Sequence, residues 1–236
     1  MSSCPSTCNA TCNLAAGGWY NVYTPSPADD NAEWTVDENG TGASTTGPTT
    51  DHTLGTATGK YIYVESAGCS GKTAYLYSAC YDLSTSSSAQ IDFWYHMYST
   101  TGGAGAMQLY VEATPGSGTW TYLWGFSFTQ GNLWKYATVS LAAYAGTTIR
   151  LRFKVGTGPA TNVDWALDDI RVSAVSTLPP VADFSSFPRT ICEGSTVSFT
   201  DLSAPGPATS WNWSFPGSVQ GSSTAQNPSG IQYNTA

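Results

Sequence analysis

Between Asp29 and Asp51 the chain carries six carboxylates, Asp29, Asp30, Glu33, Asp37, Glu38 and Asp51, and no lysine or arginine. Like charges so close together must be solvated, spread apart or neutralised by a cation. Carboxylates with no His or Cys among them are the hard oxygen donors that Ca2+ selects, so this stretch reads either as a solvated acidic loop or as part of a Ca2+ site. A second acidic feature, Asp168-Asp169, closes an alternating run, and alternation sends its two carboxylates to opposite faces. They are therefore not expected to form the paired carboxyls of a glycosidase. His52 and His96 are the only histidines, and neither an HExxH nor a GxSxG sequence is present, so no catalytic signature emerges. Arg150, Arg152 and Lys154 are three of only eight basic residues and occupy alternate positions of one run. Such a stripe is either a solvated face or a contact for an acidic polysaccharide or an acidic patch on a partner. Trp19, Trp120, Trp124 and Trp134 raise the same question for sugar stacking. Core packing accounts for most tryptophans in a sandwich, and any left at the surface are the binding anchors.

The elements that must position these groups are strands. Charged residues make up 10% of the 236-residue chain and aromatic residues 13%, a balance opposite to that of disordered segments. The net charge of -8 argues against a nucleic-acid partner, which needs clustered cations. Two-residue alternation recurs from Lys60 onward, in runs bounded by Gly, Ser, Thr and Pro. It predicts strands over Tyr61 to Glu65, Thr73 to Ser78, Ile91 to Tyr98, Met107 to Ala113, Trp120 to Phe126, Leu133 to Val139, Thr148 to Val155 and Trp165 to Val172. Eight such strands without a helical stripe indicate an antiparallel sandwich or jelly roll. Pro179-Pro180 holds the chain extended, which places a linker at 177–180. Alternation then resumes in Val181 to Phe187, Ser195 to Asp201 and the Trp211, Trp213, Phe215 run. The 57 residues from 180 to 236 are few for a complete sandwich of about 100 residues, so the second domain is expected to be incomplete. No run approaches the ~20 apolar residues of a membrane helix, and Met1 is followed by Ser2, Ser3 and Cys4 rather than by a charged and then apolar leader. Six cysteines with two histidines suit an oxidising, extracellular setting.

Five motifs fall in order: Thr46-Gly47-Pro48 with Asp51-His52-Thr53; Gly59-Lys60-Tyr61-Ile62-Tyr63; Phe93-Trp94-Tyr95-His96-Met97-Tyr98; Asn132-Leu133-Trp134; and Ala166-Leu167-Asp168-Asp169-Ile170. Together, over roughly residues 17 to 175, they resemble a MAM domain, an adhesive jelly roll named after meprin, neuropilin and a receptor tyrosine phosphatase. The cysteines depart from that family's usual pattern: three crowd together at Cys4, Cys8 and Cys12, and none closely follows Asp168-Asp169-Ile170. Ala182-Asp183-Phe184, Val197 to Asp201, Ser210 to Phe215 and Asn227-Pro228 resemble the start of a PKD domain, an immunoglobulin-like sandwich of bacterial surface proteins and secreted hydrolases.

The resemblances imply an all-β chain with a Cys-rich segment at 1–14, a MAM-like jelly roll at 15–176 and a partial PKD-like, immunoglobulin-like sandwich at 181–236. MAM and other jelly-roll modules pin their opening loop with a cation, which implies a structural Ca2+ held by Asp30, Asp51 and Asp168 with Asp29. In a jelly roll consecutive strands cross between sheets, which admits a Cys69–Cys80 disulfide beside a local pair, Cys4 with Cys12, among the first three cysteines. Cys192 is then free or bonded beyond Ala236. The function implied is non-catalytic adhesion or targeting within a larger secreted or cell-surface protein, such as a Bacteroidetes-type adhesin or metallopeptidase. Its partner would be a protein or glycan, with self-association open. The alternative is a carbohydrate-binding module.

Overall fold

The computed structural model describes residues 15–21, 30–42, 45–66, 70–101, 105–157, 163–206 and 208–234. The chain divides into two compact units, one within Met1–Ser84 and Ser88–Ala174, the other within Thr85–Ser87 and Val175–Ala236. The first holds β1 (Ala15–Ala16), β2 (Trp19–Tyr20), β3 (Asp30–Ala32), β4 (Thr35–Asp37), β5 (Tyr61–Val64), β6 (Thr73–Asp82), β7 (Ser86–Ser99), β8 (Ala106–Glu112), β9 (Thr121–Phe126), β10 (Gly131–Ser140), β11 (Thr148–Gly156) and β12 (Val163–Ser176). Strands β1-β2-β6-β11-β8-β9 form one sheet in that order, with β3 beside β6, and β10-β7-β12-β5-β4 form the other. The chain is thus an all-β protein whose first unit is a β-sandwich.

Alternation explains which side chains lie between the sheets. Ile149, Leu151, Phe153 and Val155 of β11 are fully buried, as are Ile91, Phe93 and Met97 of β7. Phe93 and Phe153, from opposite sheets, meet with ring centroids 4.9 Å apart. Each such side chain contributes on the order of 1.5–3 kcal/mol by leaving water. The intervening positions of β11 carry Arg150, Arg152 and Lys154 to the outer face of the first sheet. The outer face of the second sheet is covered as well. Tyr61, Tyr63 and Ala166 form a small separate core there with Trp134, and the turn-rich segment 45–59 is bonded to this face at several points.

In the second unit β13 (Phe184–Phe187), β14 (Thr196–Asp201) and β17 (Ile231–Gln232) form a three-stranded sheet, while β15 (Trp213–Ser214) pairs with β16 (Ser222–Ser223). Phe199, Trp213 and Phe215 pack together at centroid distances of 4.9–6.0 Å. Phe215 is buried, whereas Phe184 and Phe187 are exposed. A groove of about 520 Å³ runs along this cluster.

Candidate functional site

The sequence-derived carboxylates act first as fasteners for segment 45–59. Asp51 is buried, and its two oxygens accept the Leu54 N–H (2.8 Å) and the Thr56 N–H (3.2 Å), a side-chain-to-backbone closure typical of Asp in turns. Asp168 Oδ2 accepts the His52 N–H (2.9 Å), and Asp168 Oδ1 accepts the Asp169 N–H (2.9 Å). His52 Nδ1 lies 2.9 Å from Asp169 Oδ2, the Thr53 hydroxyl donates to Asp169 Oδ1, and the His52 ring stacks on Trp94 at 3.6 Å. Trp134 Nε1 and the Tyr61 hydroxyl close the far side by donating to the Thr50 and Pro48 carbonyls. The expectation from alternation, that Asp168 and Asp169 diverge, is corrected here. Asp169 has φ of 50°, which interrupts the alternation, and both carboxylates bind the same residue, His52. Burial raises the Asp168 carboxyl above the usual carboxylate range, with smaller upward contributions from the charges of Asp169 and Asp51.

Of the four expected Ca2+ ligands, Asp51 and Asp168 therefore lie close enough to influence each other. Asp29 and the side chain of Asp30 lie outside the described residues. Each described carboxylate already has both oxygens engaged by N–H groups. No group of three His, Cys, Asp or Glu side chains arranged to hold a metal occurs among the described residues.

The acidic group that sequence reasoning passed over is Asp164 at the start of β12. It is fully buried, and its Oδ2 accepts the Thr41 and Thr46 hydroxyls at 2.8 and 2.9 Å while Oδ1 accepts the Ser66 N–H at 3.2 Å. Burial, and then the adjacent Glu65 carboxylate, push Asp164 up to about 7. Two neighbouring carboxyls with hydroxyl oxygens around them either share a proton or share a hard cation. The motif Val163-Asp164-Trp165 gave no local sign of this, because only the fold brings Thr41, Thr46 and Glu65 to it.

A second arrangement covers the outer face of the first sheet. Across five strands, register aligns Tyr20, Tyr77, Arg152, Tyr110 and Tyr122. The Arg152 guanidinium lies 4.2 Å from the Trp120 ring centroid, 4.6 Å from that of Tyr75 and 5.2 Å from that of Tyr110. Arg150 also approaches Trp120, at 5.2 Å, and its Nε sits 3.1 Å from Glu112 Oε2, near enough for an ion pair but not aligned for a hydrogen bond. Lys154 lies over Tyr75 at 5.5 Å. Cation–π contacts of this kind contribute about 0.5–2 kcal/mol each, most where water is excluded. The three predicted cations thus share one face, embedded in aromatic rings.

The expected Cys69–Cys80 pair is corrected in one respect: Cys80 is a free, exposed thiol. Strand β5 does lie in the opposite sheet from β6, as that bond required. Cys69, Cys4 and Cys12 lie outside the described residues. Alkylation of the native protein is expected to label both Cys80 and Cys192, the exposed free thiols among the described residues. Peptide mapping that found Cys80 labelled only after reduction would contradict this.

Residues 11–176 match the MAM domain, meprin/A5/mu. Neuropilin-1a of Danio rerio is 29% identical over 178 residues, 73% of this chain, and the chain spans 18% of that protein's length. Among solved structures, the K1 cleaved adhesin domain of Lys-gingipain from Porphyromonas gingivalis W83 aligns with a TM-score of 0.48 at 17% identity, over 68% of this chain and 92% of that one. The carbohydrate-binding module TmCBM61, solved with β-1,4-galactotriose, aligns with a TM-score of 0.38 at 13% identity, over 60% and 81% of the two chains. No helix among the described residues is long and apolar enough to cross a membrane. Through the sandwich unit, with its five ordered motifs and the family match over residues 11–176, the chain belongs to the MAM domain family.

Proposed function

We propose that this chain is a non-catalytic extracellular binding module that attaches a larger secreted or cell-surface protein to a protein or glycan. In this reading a PKD-like unit follows the MAM unit from about residue 181. The observation that carries it is the cation–aromatic outer face of the first sheet. Strand pairing and ring stacking preform this face, so little conformational entropy is lost on binding. The second reading, a carbohydrate-binding module appended to a secreted hydrolase or metallopeptidase, is favoured by the half-exposed Tyr122 on the same face.

A structural Ca2+ belongs to the proposal. The residues we assign to it are Asp164 and Glu65, with Thr41 and Thr46 as neutral oxygen donors. These are hard ligands, and the pair of like charges gives a cation the most to neutralise. Asp51 and Asp168 hold the covering segment beside this pair, and the acidic Asp29-Asp30 step remains in the proposed set. Bound there, Ca2+ would supply charge neutralisation and fix segment 41–66 to β12.

The test pairs sedimentation velocity over a concentration series with binding of the full chain to an array of immobilised glycans. Concentration-dependent self-association without glycan supports adhesion between copies. Saturable glycan binding that weakens on Tyr122→Ala supports the carbohydrate reading. A chain that stays monomeric, binds no glycan and hydrolyses a substrate by itself would overturn both.

A further inference from the structure

We propose that the outer face of β6, β11, β8 and β9 is a docking surface for a uronate-bearing polysaccharide, with Arg152 and Lys154 receiving carboxylates and Trp120 and Tyr122 receiving sugar faces. This rests on reading the chain as a binding module and names the ligand class.

The chain has net charge -8 and only eight basic residues, yet three of them stand on alternate positions of one strand. Among the described residues, Glu112 forms an ion pair with Arg150. Arg152 makes no ion pair there; its charge is held by the rings of Trp120, Tyr75 and Tyr110, and its buried Nε has no hydrogen-bond partner. A cation solvated by rings alone remains available to an incoming anion, and the planar guanidinium fork matches a carboxylate. Glu112, 3.1 Å from Arg150 Nε, already places one carboxylate beside a guanidinium on the same face.

The aromatic geometry supplies the rest. Tyr122 is 51% exposed and edge-packed on Tyr110 at 5.8 Å, so it is held in place while presenting a ring to solvent. Trp120 stands over Arg152 just before β9. The row from Tyr20 to Tyr122 crosses five adjacent strands, roughly 19 Å at the usual spacing, enough for several sugar units. At physiological ionic strength charges beyond about 8 Å are largely screened, so the acidic remainder of the chain does not prevent a polyanion from binding here.

The experiment compares retention of the full chain on hyaluronan, on the same polymer after carboxyl reduction, and on dextran sulfate. Hyaluronan is expected to bind saturably, and binding should fall as salt is raised. Carboxyl-reduced polymer should bind at least about tenfold more weakly, as should hyaluronan to the Tyr122→Ala and Lys154→Gln variants, the scale of a single anchor contact. Both substitutions are of side chains outside the core, and an unchanged melting profile would establish that the fold is retained. Equal binding of hyaluronan and its neutral form would overturn the proposal while leaving a neutral-glycan module standing. Preference for dextran sulfate would overturn the carboxylate assignment. Absence of binding to all three polymers, with self-association intact, would overturn the proposal and leave adhesion between copies.

Discussion

In EDTA the full chain is expected to lose stability as the pH rises from about 4 to about 7, and added Ca2+ is expected to abolish that loss. The sign follows from Asp164. Its folded-state carboxyl is pushed up to about 7 by burial and then by Glu65, against about 3.9 in an unfolded chain. Between those values the folded state binds the extra proton, so stability is greatest below the lower one and is lost as pH passes the upper. The shift corresponds to at most about 4 kcal/mol, or roughly 10 °C in melting temperature for a chain of this size. Asp168 and Asp37, also raised by burial, act in the same direction. Asp201 in the second unit is held down to about 2 by hydrogen bonds from Ser203 and Trp211, so its opposite effect falls below this window, whereas His96, lowered by burial, opposes the slope within it, and the Asp164→Asn comparison isolates the carboxyl's share. A cation between Asp164 and Glu65 favours the ionised pair, stabilising the native state by RT ln(1 + [L]/Kd) and removing the slope. Calorimetry at several pH values, with and without Ca2+, measures both effects. In Asp164→Asn the slope and the Ca2+ response should both shrink. If Asp164→Asn kept a full Ca2+ response, the assignment of this pair would be wrong.

The same residues mark where sequence reasoning succeeds and where it stops. Strands β5 to β12 were legible because each is long enough for alternation to separate its two faces; β11 is the clearest case. The opening strands β1 to β4 span two or three residues each, too few for any period, and exist because β6 offers an edge to β2 and β3, β5 to β4, and β2 in turn to β1. The cations at Arg150, Arg152 and Lys154 could be placed on one face from their spacing. Their ring partners come from β6, β8 and the residue before β9, and a register shift between Arg150 and Arg152 sets which rings they meet. No local pattern encodes that. The acidic residues show the converse limit. Counting charges drew attention to Asp51 and Asp168, whereas Asp164, the most perturbed of the described carboxyls on the sandwich, stands alone in a run of apolar residues and gains its neighbours from segments 98 to 123 positions away.

Gly59→Ala is expected to destabilise the first unit by about 3 kcal/mol, the upper end of overpacking costs, because a Cβ there would overlap the Asp51 carboxyl. That carboxyl has little freedom to yield. It is buried, and its two oxygens hold the Leu54 and Thr56 N–H groups; displacing it leaves these donors to find water. The strain would spread through segment 45–59, since His52 and Thr53, which follow Asp51 directly, carry the bonds to Asp168 and Asp169. Loss of that cover would wet Tyr61, Tyr63 and Trp134. Chemical denaturation measures the cost, hydrogen exchange at Leu54 and Thr56 locates it, and the stacked Trp94 reports it by fluorescence. Asp51→Ala separates the steric account from a general intolerance of change. It removes the obstructing atoms and costs its own hydrogen bonds, so adding Gly59→Ala to that background should cost much less than about 3 kcal/mol, a coupling expected for residues in contact. Full additivity of the two substitutions would show that Gly59 is required for some reason other than the Asp51 carboxyl packed against it.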